Sequence, residues 1–530
     1  MLQTSLLRVA FTGLVAIAVS LEPRAATQTA PPFGAGERWG AEASAQDAWI
    51  PLSSCFAASG ELVWSAAQGA QARLELFDSA PLDAASARRL RVDLPGAQGV
   101  VAVAAGRDPS ALFALTQYPG PNAAQRWTQI ARYDALAANP TQYVWARTLP
   151  LAANGAVRVI SARSSAQVLA AVYDQASQVL LLEWLDAQDG SPASSATSVT
   201  GVLRPLVASR ELERVAFVAG AQAHVVARSG GLEHVELLAA PTNALALAGN
   251  GSRLAVGDGA RVRVLTRSSS GWSTLREFAG ATNEVATRVA LSDDGATLAI
   301  GWWDSFDVAR VRFELWRTDE VAPRYSRQLA SPSASLQNFP ESVLLSPDGR
   351  RAAFGAWGSG DGAPEAFLVD AASGAELLAL DLGGSVRAAA LDESGTRLAL
   401  AVKHGHANLL GATGGQRLFD TGEREVQLVS AAVRGASVQV AARRSGARRA
   451  YLIGGPLAAQ ATPFGSASGG LWIERKLAKV WSRATDSSGR ADFHVPVPTS
   501  GFPADYVLQA YFRGGGAAAF STSLAQPVVR

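Results

Sequence analysis

The chain has 530 residues, with 47 basic against 45 acidic side chains mixed along its length and a formal charge of +2. That balance leaves no basic stripe for nucleic acid and no polybasic patch for a membrane surface. A single cysteine excludes an internal disulfide, and 50 glycines and 25 prolines with almost no helical periodicity indicate a turn-rich, all-β chain.

At the start, Arg8 precedes an apolar run from Val9 to Val19, which has the length of a signal-peptide core. It falls short of the roughly 20 residues that span a bilayer. Residues 1–26 are therefore read as a signal peptide, leaving no integral membrane domain after its removal. The bias toward Arg and Ala, with lysine only at Lys403, Lys476 and Lys479, suits a GC-rich bacterial coding sequence. The expected location is exported: periplasmic, cell-surface or extracellular. Residues 27–47, rich in Pro, Gly and Ala, read as a linker.

From there a short phrase recurs, a small-residue turn followed by an apolar run. It is loose at Ser59-Gly60 before Leu62 to Trp64, at Asp108-Pro109-Ser110 before Ala111 to Thr116, at Ser164-Ser165 before Val168 to Tyr173, and at Gly220 before His224 to Arg228. It is clear at Gly295, Gly349 and Gly395, best as Leu345-Ser346-Pro347-Asp348-Gly349-Arg350-Arg351-Ala352-Ala353-Phe354-Gly355, with a looser copy at Gly251, and a last copy follows Gly435. Asp-Gly and Ser-Gly supply the positive φ of a tight hairpin, and the flanking runs read as strands. The turn glycines from Gly251 to Gly395 are spaced by 44, 54 and 46 residues, the length of one four-stranded β-propeller blade. Nine candidate hairpins, with a step of only 31 residues from Gly220 to Gly251, predict about eight blades within a range of seven to nine. The expected propeller covers residues 48–457, closed by a strand near Ala48 to Leu52.

The stretch from Leu345 to Glu376, with its Ser-Pro-Asp-Gly turn, Glu365-Ala366-Phe367-Leu368-Val369-Asp370 and Ser373-Gly374, resembles a TolB-type (PD40) propeller repeat. The copies at Gly295 and Gly395 resemble WD40 and YVTN-like repeats equally, without the Gly-His and Trp-Asp signatures of WD40 chains. The resemblance implies a fold and no enzymatic activity. Residues 458–530, with apparent strands at Leu471 to Ile473, Lys479 to Arg483, Ala491 to Val497 and Tyr506 to Phe512, resemble a small C-terminal β-module of secreted, planctomycete-like bacterial proteins.

Enzyme motifs are absent. Gly465-Ser466-Ala467-Ser468-Gly469 has alanine where a nucleophile elbow needs serine. Gly34-Ala35-Gly36-Glu37-Arg38-Trp39-Gly40 misplaces the last glycine of a dinucleotide fingerprint, and no lysine follows a glycine loop. His404-Gly405-His406 is the one close histidine pair; on a continuous strand both rings would share a face and reach one ion. No third ligand is near, so no metal and no cofactor are expected.

One constellation remains. With the glycine turns on one face of the disc, the second strand of each blade ends on the other. That alignment gathers Trp302, Trp303 and Asp304, then Trp357 and Asp361, then Lys403, His404 and His406. Aromatic and charged residues at strand exits suit a protein or glycan partner, although tryptophans between blades also serve as wedge filler. The expected protein is an exported, monomeric, non-catalytic binding scaffold. The competing expectations are an enzyme with a metal or carboxylate site at the central channel, and a structural or adhesive surface protein.

Overall fold

The computed structural model describes residues 203–330, 336–358 and 363–409 without a break, most of 36–199 between short gaps, 413–421, and the strands given below for 427–520. The expected signal peptide and Asp361 lie outside the described residues.

Eight four-stranded antiparallel sheets form the ring. Blades 1 to 7 each use four consecutive strands, spanning 49–94, 99–148, 157–199, 203–237, 245–279, 284–329 and 340–380. Blade 8 takes Gly384–Leu391, Arg397–His404 and Gly414–Asp420, and its fourth strand is Gly36–Glu42 from the start of the chain. First strands of successive blades meet at seven of the eight junctions and so line the central channel.

The seam therefore differs from the expected one. Trp49–Phe56 is the innermost strand of blade 1, and the closing strand comes from the stretch read as linker. Its composition conceals a strand because only Trp39 and Ala41 carry its buried face. Trp39 is 2% exposed, stacks on Phe77 of blade 1 at 4.8 Å, and donates from Nε1 to the Asp78 carbonyl at 3.0 Å.

The ninth hairpin leaves the ring as well. Gln427–Arg434 and Ser437–Arg443 pair with each other and then with Arg490–Pro496. Arg449–Pro463 pairs with Tyr506–Arg513 along one edge, and with Lys479–Ala484 and Gly470–Ile473 along the other. The last propeller strand thus ends at Asp420, and the strands from 427 onward form sheets of their own.

A twisted four-stranded sheet exposes two apolar faces, and a ring buries both. Among the described residues each of the eight wedges holds its own apolar cluster. Central strands such as Gln167–Asp174 are consequently apolar at successive positions rather than at alternate ones.

The recurrent turn has a mechanical explanation. Gly295 and Gly349 both sit at φ +70°, which a side chain disfavours. Ser346 Oγ accepts from the Arg351 amide at 3.0 Å and donates to Asp348 Oδ1 at 2.6 Å. Ser292 does the same with Thr297 and Asp294. Successive turns are then stitched together: Arg210 N donates to Gly249 O, Asn250 N to Asp293 O, and Asp293 N to Pro347 O, all at 2.8–2.9 Å.

Candidate binding surface at the strand-exit mouth

The inner strands arrive at the opposite face with a shared irregularity. Their pairing register slips between Pro51 and Ser53, Val100 and Ala102, Leu203 and Leu206, Ala286 and Arg288, Pro340 and Ser342, and Val386 and Ala388. A bulge leaves a residue unpaired and re-aims its side chain. Here it recurs at one level around the channel and places Thr287, Glu341 and Arg387 out of register.

Around blades 6 to 8 an aromatic chain lines this mouth. Trp303 meets Phe339 edge-on at 6.0 Å, Phe339 meets Trp357 at 5.2 Å, and Trp357 meets His406 at 6.4 Å. Trp303, Phe339 and Trp357 are all half-buried. The Arg288 guanidinium lies 5.4 Å from the centre of the Phe339 ring, donates from Nε to the Glu341 carbonyl at 3.0 Å, and approaches the Glu341 carboxylate at 3.7 Å. Trp357 Nε1 donates to that carboxylate at 2.8 Å.

Buried Asn338 ties blades 6 and 7 together. Its backbone donates to Val308 O at 3.0 Å, and its Oδ1 accepts from the Phe339 and Gly358 amides at 2.9 and 3.0 Å. Trp303 Nε1 also donates to Val308 O, at 3.2 Å. Above this frame the loop after Asp304 carries Phe306, which is 82% exposed. A surface built of rigid, partly exposed aromatics on a hydrogen-bonded frame suits recognition, since little side-chain entropy is lost on contact.

The residues singled out from sequence take different places. Trp302 is fully buried in the wedge between blades 5 and 6, with Nε1 donating to Glu314 at 2.8 Å. Its role is packing. Asp304 accepts from the Phe306 and Asp307 amides at 2.9 and 3.0 Å; those donors, that of Asp307 first, hold its carboxyl below the usual range. It shapes the loop that presents Phe306. Lys403 is buried and donates from Nζ to the carbonyls of His406, Ala407 and Leu409 at 3.2, 3.0 and 2.5 Å. Burial, and then the charge of Arg387, pull its pKa down.

The histidine pair is split. The strand stops at His404, and Gly405 at φ +77° turns the chain, so alternation no longer places the two rings on one face. His404 Nε2 lies 2.6 Å from Glu42 in the closing strand. His406 donates from Nε2 to Gln337 O at 2.8 Å and accepts at Nδ1 from Asn408 N at 3.1 Å, with its pKa lowered by burial. Among the described residues no group of three or more His, Cys, Asp or Glu side chains is arranged to hold a metal ion. The Cys55 thiol is pushed up to about 12 by burial, which makes it a poor nucleophile at neutral pH.

Phe339, Arg288 and Glu341 complete the mouth without having been picked out from sequence. Their one sequence signal is position: Phe339 and Glu341 lie at the start of an inner strand and Arg288 just past the bulge of another, and only the pairing reveals those bulges.

The turn face is chemically opposite. A cleft of about 360 Å³ is lined there by Arg210, Asp293, Asp294, Pro347, Asp348 and Glu393. Arg210 of blade 4 reaches Asp293 of blade 6 at 2.9 Å and Glu393 of blade 8 at 3.6 Å. Blades 4 and 8 face each other across the ring, so these contacts bridge the channel at its turn end.

The architecture is widely shared: 1291 solved chains match it in structure. One of them is the Dos1 propeller. It superposes with a TM-score of 0.50 at 9% sequence identity, covering 74% of this chain and 96% of that one. Identity that low establishes the fold alone. No family profile and no curated protein matches the chain in sequence.

Proposed function

We propose that the protein is an exported, non-catalytic scaffold that holds a protein or glycan partner at the strand-exit mouth of blades 6 to 8. The observation that carries this reading is the half-buried chain Trp303–Phe339–Trp357, continued by the exposed Phe306. Contiguous aromatic surface costs solvation free energy while bare and regains it on contact with a partner or with the apolar face of a sugar ring. Export rests on the Arg8 and Val9–Val19 leader pattern. The bacterial, TolB- or YVTN-like reading rests on the Ser346-Pro347-Asp348-Gly349 repeat.

The test pairs Trp357→Ala and Phe306→Ala with Trp302→Ala. Binding to bacterial envelope extracts and to a panel of immobilised glycans is measured beside thermal unfolding. The mouth variants should lose binding at least tenfold while remaining folded, and Trp302→Ala should lose stability. Unchanged binding by both mouth variants would remove the proposal.

A further inference from the structure

The overall charge balance hides an uneven distribution along the channel axis. The eight inner strands carry six charged residues: Arg158, Arg204, Arg288 and Arg387 against Glu284 and Glu341. Glu284 is withdrawn, since it is buried and its carboxylate is gripped by Arg312 from the third strand of its own blade. The arginines share a level in the exit half. Arg158 pairs with Ala171 in blade 3, and Arg288 pairs with Gly301 at the matching depth of blade 6. Arg387 occupies the bulge of blade 8, and Arg204 falls in the bulge of blade 4.

Blades 3 and 6 are not neighbours, so Arg158 and Arg288 can influence each other only across the channel. They do: the charge of Arg288 lowers the pKa of Arg158, after burial as the larger cause. Arg158 is nonetheless solvent-exposed. Exposure combined with desolvation is what a side chain experiences in a wet channel walled by protein. At the far end, Arg210 bridges the turn mouth among Asp293, Asp294, Asp348 and Glu393. An anion is thus repelled from one end and drawn in at the other.

We infer that the exit half of the channel is an anion-binding site, in which Arg158, Arg288 and Arg387 receive a carboxylate or phosphate group of the ligand that docks on the aromatic mouth. This rests on the exit mouth being the recognition surface. Guanidinium groups suit the task because they stay charged, fork toward two oxygens and lose little hydration. The ring beneath Arg288 and the carbonyls that accept from it fix its plane before a ligand arrives. Glu341 neutralises part of that charge and, through Trp357, links the anion site to the aromatic chain.

The full-length protein would be titrated calorimetrically with tripolyphosphate, with an oligogalacturonate, and with an uncharged malto-oligosaccharide of equal length. At least one anionic probe should bind ten times more tightly than the neutral sugar, and weaken with rising salt. The probe that binds distinguishes a phosphate ligand from a carboxylate one. Arg158→Gln and Arg387→Gln should each weaken the anionic probe by about tenfold. Arg387 engages no wedge core, so thermal unfolding of Arg387→Gln should match the wild type, whereas Arg288→Gln also frees two carbonyls. Equal affinity for charged and neutral probes, no binding of either anion, or an unaffected Arg158→Gln/Arg387→Gln double variant would overturn the inference. Loss of neutral-sugar or envelope binding in Trp357→Ala beside unaffected arginine variants would leave the mouth standing and remove only the anion site.

Discussion

Replacing Trp39 by alanine should open the ring at its seam. The indole is 2% exposed, and it is the largest apolar group that the closing strand Gly36–Glu42 contributes to the wedge between blades 8 and 1. Truncating a buried tryptophan costs about 3–5 kcal/mol in lost transfer energy and residual cavity. Losing the Nε1 hydrogen bond to Asp78 O adds about 1 kcal/mol. The expected loss is therefore about 4–6 kcal/mol, a large share of the roughly 5–15 kcal/mol that stabilises a typical domain. Urea unfolding measures the total, and hydrogen exchange locates it. Protection should fall first at residues 36–42 and at their partners Gly415–Asp420, which become an unpaired edge. A loss below about 1 kcal/mol, or unchanged protection on both strands, would refute the seam as the controlling contact.

The same seam should respond to acid. Hydrogen bonds and charge from His404 and Arg417 overcome the desolvation of Glu42 and hold its carboxyl below the usual range, whereas burial raises that of neighbouring Glu37. A depressed carboxylate pKa stabilises the fold above the unfolded value near 4.3, and that contribution disappears as pH falls through the folded pKa. Unfolding curves from pH 7 down to pH 3 should show this slope, and Glu42→Gln should flatten it. Lys403→Met should orphan the three carbonyls that its ammonium serves, costing about 2–4 kcal/mol. Faster amide exchange confined to residues 404–409 would accompany it, and unchanged stability would show that those bonds add nothing.

Much of the propeller was legible because its cause is local and repeated. Each clear copy folds its own turn, with Ser292, Ser346 or Asp392 bonding across it and a glycine at positive φ, so these copies marked blades 6, 7 and 8. The seam was illegible for the opposite reason. Gly36–Glu42 has strand character only when blade 1 offers Phe77 to Trp39, a contact that composition cannot show. The hairpin after Gly435 was misplaced because a turn and two apolar runs do not specify which sheet they join.

The site divides along the same line. The alignment of strand exits located Trp303, Trp357 and His406, since a repeat places equivalent positions on one face. It could not separate Trp302 from Trp303: successive residues on a strand face opposite wedges, and the fate of each depends on the neighbouring blade. By itself, then, the sequence determined the all-β repeat, the turn face and the ring of exits. Only the tertiary structure decided which strand closes the ring, which tryptophan meets solvent, and that Arg158, Arg288 and Arg387 of three separate blades come to one level of the inner strands. Those are relations between residues far apart in the chain, set by closure of the ring and not by any local preference.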